Sequence, residues 1–383
     1  MNRIYLDHAA STPMHPEVAQ TMMDIMTGQF GNASSVHGFG RDAKRTVSAA
    51  RDAVAASLGC KPEEIIFTSG GTESDNLALF GTATADGRTS GHIITTAIEH
   101  HAVLHACAEL ENAGYEVTFV PVNSFGRINP ADIAAAIRPD TFLISMMYVN
   151  NEVGVIQPIH EVGQLAREHG IVFHVDAVQA YGHTQIDCQS LPVDLLSVSG
   201  HKINGPQGIG ALYIRQGIRI QPLMHGGLQE KKRRAGTENI AGIAGLAKAA
   251  TLASTSIEER WAHDMTLRQT LLKELENALG TDAFVINGDP EHFLPNMLNI
   301  SFLDIGTETM LMNLDMEGIA AASGSACTSG SLELSHVLQA MDLSEDVLNS
   351  AIRFSFGLGN TTEEMEYTAK KIETIWKRLR TRY

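Results

Sequence analysis

Short apolar runs alternate with amphipathic stretches through the first two thirds of the chain. The runs at 65–67, 141–147 and 195–198 are almost continuously apolar, which is typical of strands that are buried on both faces. The same pattern predicts strands at 92–95, 117–120, 171–175 and 210–214, and helices from 16, at 41–58, from 72, from about 99 to 113, and near 135 and 165. Because strands that alternate with helices form parallel sheets, the sequence predicts an α/β fold whose mostly parallel central sheet is sandwiched by helices.

The pattern changes after about residue 236. A long helical region is predicted up to residue 279, with Trp261, Leu272 and Leu279 on one apolar stripe. Short strands are predicted at 284–286, 297–301 and 352–355, and helices near 310, 345 and 370. We therefore expect a large domain at 15–257 and a smaller α+β domain at 258–383. Residues 1–14 are predicted to form an arm that packs with the small domain.

The overall charge argues against two classes of partner. The 383 residues carry a formal charge of −16, and 44% of them are hydrophobic, an ordinary globular composition. Such an acidic chain is unsuited to nonspecific nucleic-acid binding or to a basic membrane patch, although residues 231–234 form a local basic spot. No apolar run approaches the roughly 20 residues that span a bilayer. We expect neither direct nucleic-acid binding nor membrane association.

The four cysteines, Cys60, Cys107, Cys188 and Cys327, are dispersed along the chain. None forms a Cys-x-x-Cys pair or lies with histidines at metal-ligand spacing, so no metal site is expected. The N-terminus lacks the apolar segment of a secretory signal. Free thiols in a reducing compartment are therefore expected, and we predict a cytoplasmic protein.

Lys202 directly follows the predicted strand 195–198, among small and turn-forming residues. Asp176 ends the preceding strand, about one helix and one strand earlier. Ligands of open α/β sheets gather at the carboxyl ends of strands, so both side chains can face one ligand. We predict that Lys202, with a pKa lowered by burial and by charge near His201, carries a cofactor as a Schiff base. Asp176 would hold a protonated pyridine nitrogen. The alternatives are a solvated loop lysine and an aspartate that caps a helix or forms a salt bridge.

Residues 67–73 (FTSGGTE) end a strand in glycines and start a helix at once. The free N–H groups of the helix would bind an anion, with Thr72 adding a hydroxyl, although a plain turn capped by Thr72 would have the same sequence. His100 follows another strand and could stack on a planar cofactor and move protons, or simply cap a helix. Asn151 follows the strand at 141–147 and could donate to a phenolic oxygen or only set a turn.

Two further residues suggest substrate chemistry. Cys327 lies among small polar residues in Ala-Ser-Gly-Ser-Ala-Cys-Thr-Ser-Gly, unlike a core cysteine, so its thiol is expected to be accessible. An incidental surface cysteine would fit equally well. Arg353 lies inside a short predicted strand, where its guanidinium needs an anion. That anion would be a substrate carboxylate or an internal acid.

Together these residues resemble the cysteine desulfurases of the NifS/IscS type, a branch of the class V, fold type I enzymes that use pyridoxal 5′-phosphate. The resemblance runs along the whole chain. It includes the motifs at 5–7, 68–74, 99–100, 150–152, 174–176, 199–202, 225–227, 236–237 and 323–328. The combination is specific, whereas each motif alone is not.

The resemblance implies roles for the cofactor-binding residues. Lys202 binds pyridoxal phosphate covalently, Asp176 pairs with its pyridine nitrogen, and His100 stacks on its ring and assists proton transfer. The phosphate is held by Gly71, Thr72, Ser199 and His201, and the phenolic oxygen by Asn151 and Gln179. Thr237 resembles the residue that contacts the phosphate of the neighbouring subunit, so a homodimer with shared sites is implied.

The resemblance also implies the reaction. Arg353, together with Asn151, binds the substrate L-cysteine by its carboxylate. Cys327, in a mobile loop of the small domain, attacks the substrate sulfur and becomes a persulfide, and alanine is released. The persulfide sulfur then passes to an acceptor protein, a tRNA thiolase or an iron–sulfur scaffold.

Two departures from the family pattern change these expectations. The chain ends at Tyr383, whereas the housekeeping iron–sulfur members have a longer tail, so tRNA thiolation is favoured over cluster assembly. Gly71 stands where many members have alanine, a change that the turn is expected to tolerate. The alternatives are a selenocysteine lyase, another class V reaction such as transamination, and a sulfur-relay adaptor without turnover. Cys327 argues against transamination, and the set of Lys202, Asp176 and Cys327 argues against the adaptor.

Overall fold

The computed structural model describes residues 3–324 and 334–380. Cys327 lies outside this part of the chain. The twelve strands of the described residues are β1 (Ile4–Tyr5), β2 (Ile65–Thr68), β3 (His92–Thr96), β4 (Glu116–Val120), β5 (Thr141–Met147), β6 (Val172–Asp176), β7 (Leu195–Ser199), β8 (Gly210–Ile214), β9 (Phe284–Asn287), β10 (Met297–Phe302), β11 (Ile319–Ala320) and β12 (Ala351–Ser355).

Twelve α-helices connect and cover these strands. They are α1 (Pro16–Gly28), α2 (Gly38–Ser57), α3 (Gly71–Ala83), α4 (His101–Asn112), α5 (Pro130–Ala136), α6 (Ile159–Glu168), α7 (Ile240–Ser254), α8 (Ile257–Leu279), α9 (Thr307–Met316), α10 (His336–Ala340), α11 (Glu345–Leu348) and α12 (Thr362–Arg380), all within the described residues.

The central sheet has seven strands in the order β2-β8-β7-β6-β5-β3-β4. Strand β8 is antiparallel to both neighbours, and the other pairs are parallel. One face packs on α2, α6 and α7 through side chains such as Val54, Val162 and Leu246. The other packs on α3 and α4 through Leu77 and Val103. This confirms the predicted α/β fold with a sheet sandwiched by helices.

The C-terminal part has a core of its own. Strands β12, β10 and β9 form an antiparallel sheet, which packs on α8 and α12 through Leu271, Phe354 and Ile372. In the N-terminal segment, β1 pairs in parallel with β11, and Asp7 bridges to Ser355 beside β12. The boundaries proposed at 14/15 and 257/258 stay predictions.

Two sequence-based expectations about connections are wrong. The predicted long helix up to residue 279 is two helices, α7 and α8, bent by 73°. At the break the Thr255 and Ser256 hydroxyls donate to the carbonyls of Thr251 and Leu252, which competes with continuation of the helix. The connection from β6 to β7 contains turns and no helix in the described structure.

Within the described residues, no single helix passes the length and hydropathy test for a membrane span. Helices α7 and α8 pass that test only when they are taken together as a bent pair.

Candidate active site

A cavity of about 480 Å³ opens at the carboxyl ends of β6 and β7 and reaches the N-terminus of α3. Almost all of the predicted site residues line it. They are Gly71, Thr72, His100, Asn151, Asp176, Gln179, Ser199, His201, Lys202 and Arg353. Strand order explains the gathering, because β7, β6 and β5 are neighbours and end at the same edge of the sheet.

The anion end of the cavity is the N-terminus of α3. Gly70 precedes the helix at φ +150°, a conformation that favours glycine, and no side chain caps the helix. The Thr72 hydroxyl makes no hydrogen bond to any described residue and lines the cavity. The helix therefore presents free N–H groups and a hydroxyl to an anion.

Gly71 is tightly packed against Val178. A Cβ atom on Gly71 would lie 2.7 Å from Val178 Cγ2, closer than side chains normally approach. An alanine at this position would therefore require the Val178 methyl group to move. That the turn tolerates glycine where many family members have alanine stays a prediction.

Asp176 is 6% exposed at the end of β6, and its Oδ1 accepts a hydrogen bond from Val178 N at 2.9 Å. Burial raises the pKa of its carboxyl group, while His100, the Val178 N–H and Lys202 act in the opposite direction. A cationic partner in the cavity would therefore relieve the cost of its buried charge.

Lys202 lies just after β7, with its amine held by the arm. Its Nζ donates to the carbonyl oxygens of Ala9 and Ala10, the latter at 3.0 Å. Burial, and then the positive charge of Arg353, lower the pKa of Lys202 to about 8. The neighbouring charge is thus Arg353 and not His201, whose own pKa falls to about 4 through burial and the charge of Lys202. A lysine with this pKa is partly unprotonated near neutral pH and can act as a nucleophile.

His100 caps α4 and also lines the cavity, while its role in stacking on a cofactor and moving protons stays a prediction. Its Nδ1 accepts a hydrogen bond from Ala102 N at 3.1 Å. Burial lowers the pKa of His100. Because Nδ1 is an acceptor, the proton of the neutral ring lies on Nε2, where it can be exchanged with a ligand.

Arg353 already has an internal anion. In the described structure its Nη2 donates to Asp7 Oδ1 at 2.8 Å and its Nη1 donates to Asn151 O at 2.8 Å, while Nε has no partner. Arg353 is 4% exposed. The sequence left open whether a substrate carboxylate or an internal acid pairs with this arginine. In the structure the internal acid Asp7 pairs with Nη2, one of the two terminal nitrogens of the guanidinium.

Asn151 and Gln179 also face the cavity. One amide hydrogen of Gln179 is engaged with Ala9 O at 2.9 Å, which leaves the second for a ligand oxygen. The side chain of Asn151 makes no hydrogen bond to the described residues. Thr237 is exposed and does not line this cavity.

Cys327 lies outside the described residues, but its flanks are placed. Ala322 and Gly324 line the cavity, and Ser335 beyond the segment donates to Glu152 Oε2 at 2.5 Å. Cys327 follows Gly324 by three residues, a reach of at most about 10 Å.

Sequence reasoning missed two acids at this site. Asp7 was recognised only as part of the motif at 5–7, although it holds Arg353. Asp75 is 1% exposed on α3 and lines the cavity; burial and the charge of Asp176 raise its pKa well above the usual range. The signal for Asp75 was its place one helical turn after the Gly70–Gly71 turn, where helix periodicity points its side chain back at the sheet.

These residues fit pyridoxal phosphate. An uncapped helix end suits the phosphate, the buried carboxylate of Asp176 suits a protonated pyridine nitrogen, and the desolvated amine of Lys202 suits an imine bond. The cavity volume is within the range of small cofactor sites.

Comparisons with known proteins agree with this site. The family model described as aminotransferase class V matches residues 4–368. The chain is 48% identical to a cysteine desulfurase IscS of Methanosarcina thermophila, over 98% of this chain and 93% of that protein. It is 46% identical to a cysteine desulfurase IscS of Dictyoglomus turgidum, over 99% and 95% of the two chains. A solved NifS-like protein, 38% identical, superposes with a TM-score of 0.92 over 98% of this chain and all of that one.

Proposed function

This chain belongs to the class V aminotransferases and, within them, to the cysteine desulfurases that depend on pyridoxal phosphate, and we propose that Cys327 is the residue that accepts the sulfur. The relatives do not distinguish among acceptors. We further propose that the sulfur passes to an acceptor protein that serves tRNA thiolation or iron–sulfur cluster assembly.

The residues of the cavity have separate tasks in this proposal. Bound pyridoxal phosphate supplies an electron sink that stabilises negative charge on the substrate carbons. Lys202 anchors the cofactor, and Asp176 keeps its ring nitrogen protonated. His100 moves a proton through Nε2. Arg353, with Asn151, orients the substrate by its carboxylate.

The sulfur transfer is balanced without a further oxidant. The Cys327 thiolate attacks the sulfur of L-cysteine, an S–S bond forms, and the Cβ–S bond of the substrate breaks. The electron pair of that bond stays with Cβ, which takes up a proton, so L-cysteine becomes L-alanine and the transferred sulfur is held as a persulfide.

The other three cysteines are poor candidates for this step. Cys107 and Cys188 are buried, and Cys60 is half-buried. Burial raises the pKa of the Cys60 and Cys107 thiols to about 12 and raises that of Cys188 as well. Because the thiolate is the nucleophile, none of them is suited to attack at neutral pH.

One observation carries the proposal: a single cavity holds the anion-binding helix end, Asp176, Lys202 and Arg353, and its wall includes Gly324, three residues before Cys327. The cavity that combines these features is thus lined by a residue close in sequence to Cys327, the cysteine that lies among small polar residues.

We also propose a homodimer in the cytoplasm. The segment after α1 and the first turn of α2 expose Phe30, Val36 and Phe39 at 79%, 91% and 59%, which favours burial against a second copy. Thr237 is exposed, as a residue that serves a partner's site would be in one isolated chain. A thiol that must stay reduced between turnovers supports the reducing cytoplasm.

The activity is tested by measuring alanine and sulfide together. With L-cysteine and a thiol reductant, the purified holoenzyme should release alanine and sulfide in equal amounts, and Lys202→Ala should release neither. Sulfide accompanied by pyruvate rather than alanine would contradict desulfuration. Radiolabelled sulfur from cysteine, offered to a tRNA thiolase and to an iron–sulfur scaffold side by side, identifies the acceptor.

A further inference from the structure

A second cavity lies on the other side of Lys202. It has a volume of about 670 Å³ and is bounded by the N-terminal part of α8 and the loop at 356–361. Lys202 lines both cavities. The arm separates them, since Asp7 and Ala9 line the first cavity and His8 and Thr12 line the second.

Asp264 on α8 faces this second cavity without a partner. It is 3% exposed, and it forms no hydrogen bond or ion pair with the described residues. Burial raises the pKa of Asp264 to about 7, and the charge of Arg260 partly opposes that rise. A buried carboxyl group without a partner is costly, and such groups are usually paired when the protein is in its working state.

Arg260 lies one helical turn before Asp264, on the same face of α8. Its Nε donates to Ser256 Oγ at 3.0 Å and its Nη1 donates to Asn204 Oδ1 at 3.2 Å, so both acceptors are neutral. Within the described residues no salt bridge joins Arg260 to an acid, although the charges of Asp264 and Glu259 act on it through space. The cavity wall therefore carries a cation and an acid one helical turn apart that interact through space but form no salt bridge.

The other titratable groups in the wall are His8, His15, His183, Lys202, Glu259 and His263. The amine of Lys202 is engaged with the carbonyl oxygens of Ala9 and Ala10, His15 Nδ1 accepts a hydrogen bond from Glu17 N, and His263 is exposed. His8 and His183 are neutral near pH 7, because burial lowers the pKa of each to about 4. Glu259 is exposed at the rim. A ligand that pairs with both Asp264 and Arg260 thus needs one positive and one negative group at short separation.

We infer that the second cavity binds a free α-amino acid, whose ammonium group pairs with Asp264 and whose carboxylate pairs with Arg260. The volume leaves room for a side chain and water. This site is separate from the substrate position at Arg353 and goes beyond the proposed activity.

The test is calorimetric titration of the holoenzyme with N-methyl-L-alanine. This probe is a zwitterion, and its secondary amine cannot form a neutral imine with the cofactor, so unchanged cofactor absorbance during the titration identifies noncovalent binding. We expect one probe per chain, and we expect Asp264→Asn and Arg260→Gln each to weaken binding by about tenfold or more. Asp282→Asn, an exposed acid in the same part of the chain, is the matched control and should bind like the wild type.

Two results would overturn the inference. One is the absence of saturable binding to the wild-type holoenzyme at millimolar probe. The other is binding that Asp264→Asn retains and Arg353→Lys abolishes, because the probe would then occupy the first cavity. Asp264→Asn removes a buried charge without changing the shape of the side chain, so the unfolding temperature of the unliganded protein should stay the same. Measuring that temperature shows whether a loss of binding reflects the site or a folding defect.

Discussion

At the scale of single residues, the reactivity of the site depends on how contacts with the arm and with Arg353 set the pKa of Lys202. The arm supplies two carbonyl acceptors to the amine, which favour its charged form, whereas burial and Arg353 favour the neutral form. The result is a pKa of about 8, well below that of a solvated lysine. This pKa predicts the pH range in which Lys202 can react as a nucleophile.

Cofactor loading should therefore follow the ionisation of Lys202. The rate at which apoenzyme gains the visible absorbance of bound pyridoxal phosphate should rise with pH and level off above about 8, because only the neutral amine attacks. Arg353→Gln should move the midpoint to higher pH, since it removes a cation that disfavours the charged amine. Lys202→Ala gives the baseline, and a wild-type midpoint near that of free lysine would contradict the account.

Asp7 should act as a competitor for Arg353. The substrate carboxylate must share the guanidinium with the Asp7 carboxylate, which lies 2.8 Å from Nη2. Asp7→Asn should lower the KM for L-cysteine by about fivefold, the effect of about 1 kcal/mol, with a smaller change in kcat. Steady-state kinetics decide the matter, and a raised KM would mean that Asp7 positions Arg353 instead of competing for it.

At the scale of elements, the N-terminus of α3 is placed by close packing on the segment after β6. Gly71 meets Val178, and Val178 N also binds Asp176. One contact therefore connects the anion end of the cavity with the acid at its other end. A change at Gly71 is expected to disturb both.

Gly71→Ala should weaken pyridoxal phosphate binding by about tenfold, the scale of a mild overpacking cost. Val178→Ala in the same chain should recover most of that loss by removing the clashing methyl group, which a double-mutant cycle measures. Gly28→Ala is the matched control, because a Cβ there meets nothing within 4 Å. Equal cofactor affinity in Gly71→Ala and the wild type would show that the turn adjusts freely.

Elements also show where sequence reasoning worked and where it did not. The buried strands were predictable because their apolar runs have no competing interpretation, as in β5, where all seven residues are buried. The break between α7 and α8 was missed because it depends on the Thr255 and Ser256 hydroxyls, which bind carbonyls of the preceding turn. The Asp7–Arg353 pair joins opposite ends of the chain, a contact that no local pattern specifies.

At the scale of the whole molecule, one chain holds a nearly complete site. Ten predicted residues meet in the cavity, whereas Thr237 is exposed outside it. If Thr237 completes the phosphate site of a partner subunit, the functional unit is the dimer. This sharing of one site between two subunits can be tested by mixing two defective chains.

Mixed dimers of Lys202→Ala and Thr237→Asp chains should bind one cofactor, although neither homodimer binds any. Each homodimer has two damaged sites, because the introduced Asp repels the phosphate and the Ala removes the anchoring amine. In the mixed dimer one site combines both defects and the other has neither. Absorbance of tagged, co-purified mixed dimers measures this, and their failure to bind cofactor would place Thr237 in the site of its own chain.

The central claim is that Cys327 takes the sulfur, and mass spectrometry of the chain after one addition of L-cysteine without reductant tests it most directly. The wild-type holoenzyme should carry one extra sulfur on the peptide that contains Cys327 and release one alanine per active site. Cys327→Ser should keep the cofactor absorbance, carry no extra sulfur and form no alanine. Persulfide on Cys60, Cys107 or Cys188, or undiminished alanine from Cys327→Ser, would contradict the account.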